Sequence, residues 1–153
     1  MADFKFRLAT LLQLRETTRD ERGAELAEAH RAEEAITKQM TYVVHELNSV
    51  QAEYRRAAGP GTVDLDRLAD AGRWEFALRT RQEELHRQLE TAKAEIERLQ
   101  QRFAEAHRDV RVLENLREHQ ADQHRQEDTR QETKQLDEVA RQRFTRRQSE
   151  ANA

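Results

Sequence analysis

Two long heptad runs on either side of Gly59-Pro60-Gly61 constrain most strongly what this chain can fold into. Glycine and proline favour a break here, because proline lacks the amide hydrogen that would continue a helix. On both sides apolar residues recur at alternating spacings of three and four, the first run being interrupted by Glu33. The first run is Leu26, Ala29, Ile36, Met40, Val43, Leu47, Val50 and Tyr54, and the second is Leu78, Leu85, Leu89, Ala92, Ile96, Leu99, Phe103, Ala106, Val110 and Leu113. The pattern predicts an all-α protein in which two long helices form an antiparallel coiled-coil hairpin.

The Gly-Pro-Gly break also sets the expected boundaries of the helices. We predict one elongated domain over 1–153, with a first helix at 4–58, a second long helix at 73–147 and a flexible tail at 148–153. Between the helices, 59–72 would hold the hinge and a short helix near the tip, capped by Thr62 or Asp64. With a connection of this length, residue i of the first helix should face about residue 132 minus i of the second, within several residues.

Composition limits the classes of function. With 37% charged residues the chain can bury a seam between helices but not a large globular core. The absence of cysteine removes disulfides and thiol chemistry, and a net charge of -3 makes no broad demand for nucleic acid. The first residues form neither a secretory signal nor a membrane span, so we expect a cytoplasmic protein.

The apolar stripe fades after Leu116 and returns only briefly near the C-terminus. Between 117 and 135 the apolar side chain is Ala121, and then a short stripe follows at Leu136, Val139, Ala140 and Phe144. Four arginines are interspersed with this last stripe: Arg141, Arg143, Arg146 and Arg147. The expected register leaves the last twenty or so residues beyond the hairpin, which makes them the part most in need of a partner.

No pattern points to catalysis, a cofactor or a metal. The six histidines are scattered, and none lies four residues from another with a carboxylate placed to complete a set of metal ligands. A phosphate-binding loop and a nucleophile-base arrangement are both missing from the sequence, and a two-helix hairpin offers little concavity for a substrate. We therefore predict no enzyme activity and no small-molecule substrate.

The aromatic residues near the hinge allow two interpretations. Tyr42, Tyr54, Trp74 and Phe76 gather there in a chain that is otherwise very polar. Either they close the end of the seam, or some are exposed and anchor a partner, since aromatic side chains contribute strongly to interfaces. The heptad pattern does not separate these possibilities.

Four ordered segments resemble the flagellar FliJ family. They are Phe-Lys-Phe-Arg-Leu at 4–8, Leu-Leu-Gln-Leu-Arg-Glu at 11–16, Val-Leu-Glu-Asn-Leu at 112–116 and Glu-Thr-Lys-Gln-Leu-Asp-Glu-Val-Ala at 132–140. The resemblance covers the whole chain in order. It implies a component of the type III export apparatus of the bacterial flagellum, similar to the central stalk of rotary ATPases, which binds the export ATPase hexamer, the membrane export gate and export chaperones. Such a protein would be a monomer at the cytoplasmic face of the inner membrane.

Carried onto this chain, the resemblance implies two binding sets. The residues expected to contact the ATPase lie near both termini: Phe4, Leu8, Leu11, Arg15, Leu136, Asp137, Glu138, Arg141 and Phe144. Those expected to contact the gate lie near the hinge: Leu47, Val50, Tyr54, Trp74 and Leu78.

Two other interpretations stay open on sequence alone. The long seam also suits a general coiled-coil scaffold or a homodimer with unrelated partners. The basic C-terminal end suits RNA, lipid or an acidic protein surface. Because Phe144 is the only aromatic residue among the arginines and the chain is acidic overall, nucleic acid is the weakest of these choices.

Overall fold

The computed structural model describes residues 4–151, with side chains to residue 150. Two long helices pack against each other, α1 at Ala9–Ala57 and α2 at Leu65–Ala151, and no strand occurs in this described part. The predicted all-α helical hairpin is confirmed.

The first helix starts five residues later than predicted. Residues 4–6 are irregular, and the amide of Ala9 donates to the carbonyl of Phe6 at 3.2 Å before the regular pattern begins. Phe4 lies against His124 of α2, with ring centroids 5.9 Å apart in an edge-to-face arrangement. The segment therefore packs the ring of Phe4 on α2 instead of extending α1.

The Gly-Pro-Gly break ends α1 as predicted. The amide of Ala58 donates to the carbonyl of Tyr54 at 3.0 Å, completing the last turn. Gly61 has a φ of 137°, a value that side chains strongly disfavour and glycine accepts. Asp64 then caps α2, since its Oδ1 accepts from the amide of Arg67 at 3.1 Å. Of the two predicted caps, Asp64 is the one used.

The separate short helix predicted within 59–72 is wrong. Residues 65–72 are the first turns of α2 and continue into it without a break. Gly72 does not end a helix: its open side faces Tyr54, and a Cβ there would lie 3.1 Å from the phenolic oxygen. At the other end, α2 continues to Ala151, so the predicted tail from 148 is helical as far as the structure describes it, and 152–153 lie outside the described residues.

The described residues form two compact units, one of 19–105 and one of 4–18 with 106–151. The prediction of one domain is not tested by this division and stays a prediction. In the unit formed by 19–105, the heptad residues form the seam. Val43, Val50, Leu78 and Leu85 are buried at its centre, and partly buried side chains surround them: Ile36, Met40, Leu47, Tyr54 and Ala71. Ile96 and Leu99 continue the buried stripe. The register-breaking Glu33 is half-buried, with an oxygen 3.5 Å from Nδ1 of His30.

The register within this unit differs from the prediction by about six residues. A Cβ on Gly23 would lie 3.3 Å from the ring of Phe103, and Tyr54 meets Gly72, so residue i faces about residue 126 minus i. The predicted pairs, such as Tyr54 with Leu78, assumed a longer connection. Because α2 begins directly at Leu65, the connection is shorter and the pairing shifts accordingly.

The second unit combines 4–18 of the N-terminal region with 106–151 of α2. Leu12, Ala106 and Val110 are buried in it. Arg15 Nη1 lies 3.4 Å from Asp109 Oδ2, both side chains being about half exposed. This pair and the ring contact of Phe4 keep the antiparallel arrangement, but they supply much less apolar burial than the seam does.

Candidate partner-binding surfaces

The last part of α2 is a helix that is exposed all round. Every residue from 129 to 150 is exposed, and we call this segment the exposed end. It includes large apolar side chains, with Leu136 71% and Phe144 65% exposed. Most of a helix's stability in proteins comes from packing an apolar face, so an uncovered face of this kind favours a partner.

The apolar residues of the exposed end lie on one side of the helix. The spacing of Leu136, Val139, Ala140 and Phe144 places them within a stripe about 140° wide, at 100° per residue. Charges are distributed unevenly along the segment: Glu132, Asp137 and Glu138, with Lys134 among them, precede the four arginines. Within the described part of the chain, the ion pair formed in this segment joins Arg146 and Glu150 at 3.5 Å. The other charges are available to a partner.

The structure divides the predicted ATPase-binding set into two groups. Leu136, Asp137, Glu138, Arg141 and Phe144 all belong to the exposed end. The N-terminal group lies further back along α2: Phe4 contacts His124 and Arg15 pairs with Asp109, while Leu8 and Leu11 are each 38% exposed.

His124 and Leu136 are separated by about 18 Å along the helix axis. The two groups therefore cannot form one compact patch. Sequence reasoning did not identify His124 or Asp109, because only the register of the helix pair could have indicated them.

Near the hinge, two grooves run along the helix pair and share Trp74 as a wall. One, of about 510 Å³, is lined mainly by apolar atoms and is bounded by Tyr42, Trp74 and Arg81 above the buried Val43 and Leu78. The other, of about 730 Å³, is more polar and includes Glu46, Glu53, Arg56 and Asp70. Trp74 is 51% exposed and Tyr42 62%, so both aromatic rings are accessible from solvent.

Part of the predicted gate-binding set lies in the hydrophobic core of the seam. Val50 and Leu78 are each 5% exposed and hold the seam together, while Leu47 and Tyr54 are half-buried. Of this set, Trp74 is the one that presents a large exposed surface. Sequence analysis noted Tyr42 as an aromatic near the hinge but did not include it, although it forms the opposite wall of the apolar groove.

Tyr54 is held at the base of this region. Burial raises the pKa of its phenol above the usual value, and the neighbouring carboxylate of Glu75 raises it further by charge repulsion and by accepting a hydrogen bond. Glu75 is itself paired with Arg79, whose Nη2 lies 2.7 Å from Oε1. These contacts tie the end of the seam to α2 beside Trp74.

The described residues contain neither a metal-binding cluster nor a membrane-spanning helix. Within 4–151, no three histidine or acidic side chains are grouped to hold a metal ion. Nor does any helix there have the length and apolar character needed to cross a membrane.

Two long helices that pack against each other through apolar residues at heptad spacing define the class of coiled-coil hairpin proteins. Compared with models of known families, the chain matches the one described as "Flagellar FliJ protein" over residues 4–149. It belongs to that family, and it is therefore a component of the flagellar export apparatus. No curated protein and no solved structure matches the chain.

Proposed function

We propose that this chain is a stalk-like adaptor that binds the flagellar export ATPase ring with its exposed end, promotes ring assembly and links the ring to the export gate and to export chaperones. The observation that supports ATPase binding most directly is the uncovered apolar stripe at 136–144. A partner that encloses a single helix would cover the stripe and neutralise the adjoining arginines at the same time.

The ATPase proposal is tested by substitutions confined to the exposed end. We expect the purified chain to raise ATP hydrolysis and hexamer formation by the cognate ATPase, and the Leu136→Glu, Phe144→Glu double variant to lose both effects. Val112→Glu is the matched control, because Val112 is 66% exposed on the same helix outside the stripe. If wild type has no effect at micromolar concentration, or if the control loses as much as the double variant, the proposal fails.

The gate-binding role is assigned to the groove between Tyr42 and Trp74. Two exposed aromatic walls over an apolar floor can receive an apolar side chain of a membrane-protein cytoplasmic domain. Of the other residues in the predicted gate-binding set, Leu78 lies in the floor of this groove, Val50 lines the neighbouring, more polar groove, and Leu47 and Tyr54 line neither.

The chain provides an unusually close control for that surface. Phe76 lies two residues from Trp74 and is 76% exposed, but it lines neither groove. Trp74→Ala and Tyr42→Ala should each weaken binding to the gate's cytoplasmic domain by about tenfold or more, while Phe76→Ala leaves it unchanged. Titration calorimetry measures the difference, and equal losses in all three variants would refute the assignment.

Chaperone binding and a position at the cytoplasmic face of the inner membrane complete the proposal. Both rest on the family relationship. Pull-down of purified export chaperones, each tested empty and loaded with its substrate, checks the first: an adaptor that escorts free chaperones should retain the empty form preferentially. Fractionation of cells with and without the gate protein checks the second, since membrane association through the gate should disappear with it.

A further inference from the structure

The exposed end also has the features of a helix that can pair with a copy of itself. We propose that, in the absence of other partners, two copies of this chain associate through an antiparallel pairing of their exposed ends. The proposal does not depend on ATPase binding, because it concerns the chain alone. It goes beyond the expected monomer, which rested on the family resemblance.

Knobs-into-holes geometry supports the pairing. Glu132, Gln135, Leu136 and Val139 line a shallow depression on the outside of the helix. Their spacing of i, i+3, i+4 and i+7 is that of a coiled-coil hole. An apolar knob is present at Phe144, which is 65% exposed. When Phe144 of a second copy enters this hole, the two helices meet near Val139 and Ala140.

The pairing is reciprocal, as a twofold interface requires. With Phe144 opposite the hole centred near Leu136, Leu136 faces the corresponding hole of the second copy, formed by Ala140, Arg143, Phe144 and Arg147. Ala140 lies at the twofold axis, where its small side chain allows close approach. Leu136 and Phe144 of each exposed end are thereby covered.

Charge selects the antiparallel direction. In this arrangement Glu132 approaches Arg146 and Arg147 of the second copy, and Asp137 approaches its Arg141. A parallel pairing would place each arginine beside its own copy, which is unfavourable. Among the described residues, Asp137, Arg141 and Arg147 form no ion pair within the chain, so these contacts compete with none already present.

The interface is short, which sets its strength. Fewer than four heptads of helix contribute, so association should be reversible and weak rather than permanent. Where the ATPase proposal also holds, the ring and the second copy would compete for one apolar stripe.

Sedimentation of the full chain over a wide concentration range tests the association itself. We expect reversible dimers for wild type, and Phe144→Glu should weaken association by roughly tenfold to a hundredfold because a buried aromatic side chain is lost. Val112→Glu is again the control and should dimerise as wild type does. A wild-type chain that stays monomeric at several hundred micromolar, or a Phe144→Glu variant that dimerises equally well, would overturn the proposal.

Cysteine cross-linking tests the direction, and the natural chain contains no cysteine to interfere. Under mild oxidation Ala140→Cys should form a disulfide-linked dimer, because this position meets its own copy. Thr133→Cys should not, since antiparallel pairing separates the two copies of that position by about 20 Å. Mixing Thr133→Cys with Arg147→Cys should give the mixed dimer. Efficient linkage of Thr133→Cys to itself would show a parallel pair and contradict the proposed geometry.

Discussion

The seam around Leu85 and the exposed end around Leu136 use the same helix α2 in opposite ways. Both present leucines at helical spacing, yet Leu85 is completely buried and Leu136 is 71% exposed. The difference lies in what covers each leucine: α1 supplies Ile36, Met40 and Val43 around the seam that buries Leu85, whereas every residue from 129 to 150 is exposed. An apolar stripe is therefore a seam only where a second stripe is available to it.

The largest expected effect is on the free energy of unfolding, when substitutions of these two leucines are compared. Leu85→Ala should lower the free energy of unfolding by about 2–5 kcal/mol, because it leaves a cavity in the seam. Leu136→Ala should change it by no more than about 0.5 kcal/mol, since the side chain is already in water. Urea unfolding followed by circular dichroism, at a concentration where the chain is monomeric, measures both values. Similar costs for the two variants would show that the exposed end is packed.

The seam could be predicted from sequence because its cause is local and repeated. Every heptad residue from Leu26 to Tyr54 and from Leu78 to Leu113 is buried or half-buried, as the spacing predicted. The break at Gly59-Pro60-Gly61 was predicted for the same reason, since proline and glycine act on the backbone where they stand.

What sequence could not supply depends on contacts between distant residues. The register shifted by about six because the short helix was inferred from capping residues that in fact start α2 directly. The second long helix was predicted to start at 73, just after Gly72, but Gly72 lies inside α2, where it accommodates the hydroxyl of Tyr54. Whether Trp74 closes the seam or faces solvent likewise depended on the register. The split of the ATPase-binding set has the same origin.

The two ends of α2 provide the next comparison. Asp64 caps the start of the helix through the amide of Arg67, while the last turn of the helix contains no basic residue. Asp64→Ala should lower the free energy of unfolding by about 0.5–2 kcal/mol, as the loss of a cap usually does. Glu150→Ala, the control at the other end, should leave it unchanged. Asp64→Asn should retain most of the stability, because asparagine can accept the same hydrogen bond.

A third test concerns the seam at Gly23, the glycine within α1. Gly23 would ordinarily cost about 1 kcal/mol in a helix, but the ring of Phe103 occupies the space that a Cβ would fill, at 3.3 Å. Gly23→Ala should therefore stabilise a Phe103→Ala background by about 0.5–1 kcal/mol more than it stabilises wild type. A double-mutant cycle measures this coupling. If the gain is the same in both backgrounds, the ring does not restrict the site.

The smallest effect is a titration that reports on the closed end of the seam. Replacing Tyr42 with phenylalanine leaves Tyr54 as the only tyrosine, so tyrosinate absorbance then follows one group. Its pKa should lie above the usual tyrosine value in the folded chain and fall in urea, because burial is the largest single cause of the shift. Since the folded pKa is raised, the neutral phenol is favoured, and its stabilising contribution is present at neutral pH and lost as pH rises through that pKa. Glu75→Gln should remove the part of the pKa shift due to charge and hydrogen bonding and leave the part due to burial. A complete return to the unfolded value would show that Glu75 and not burial controls Tyr54.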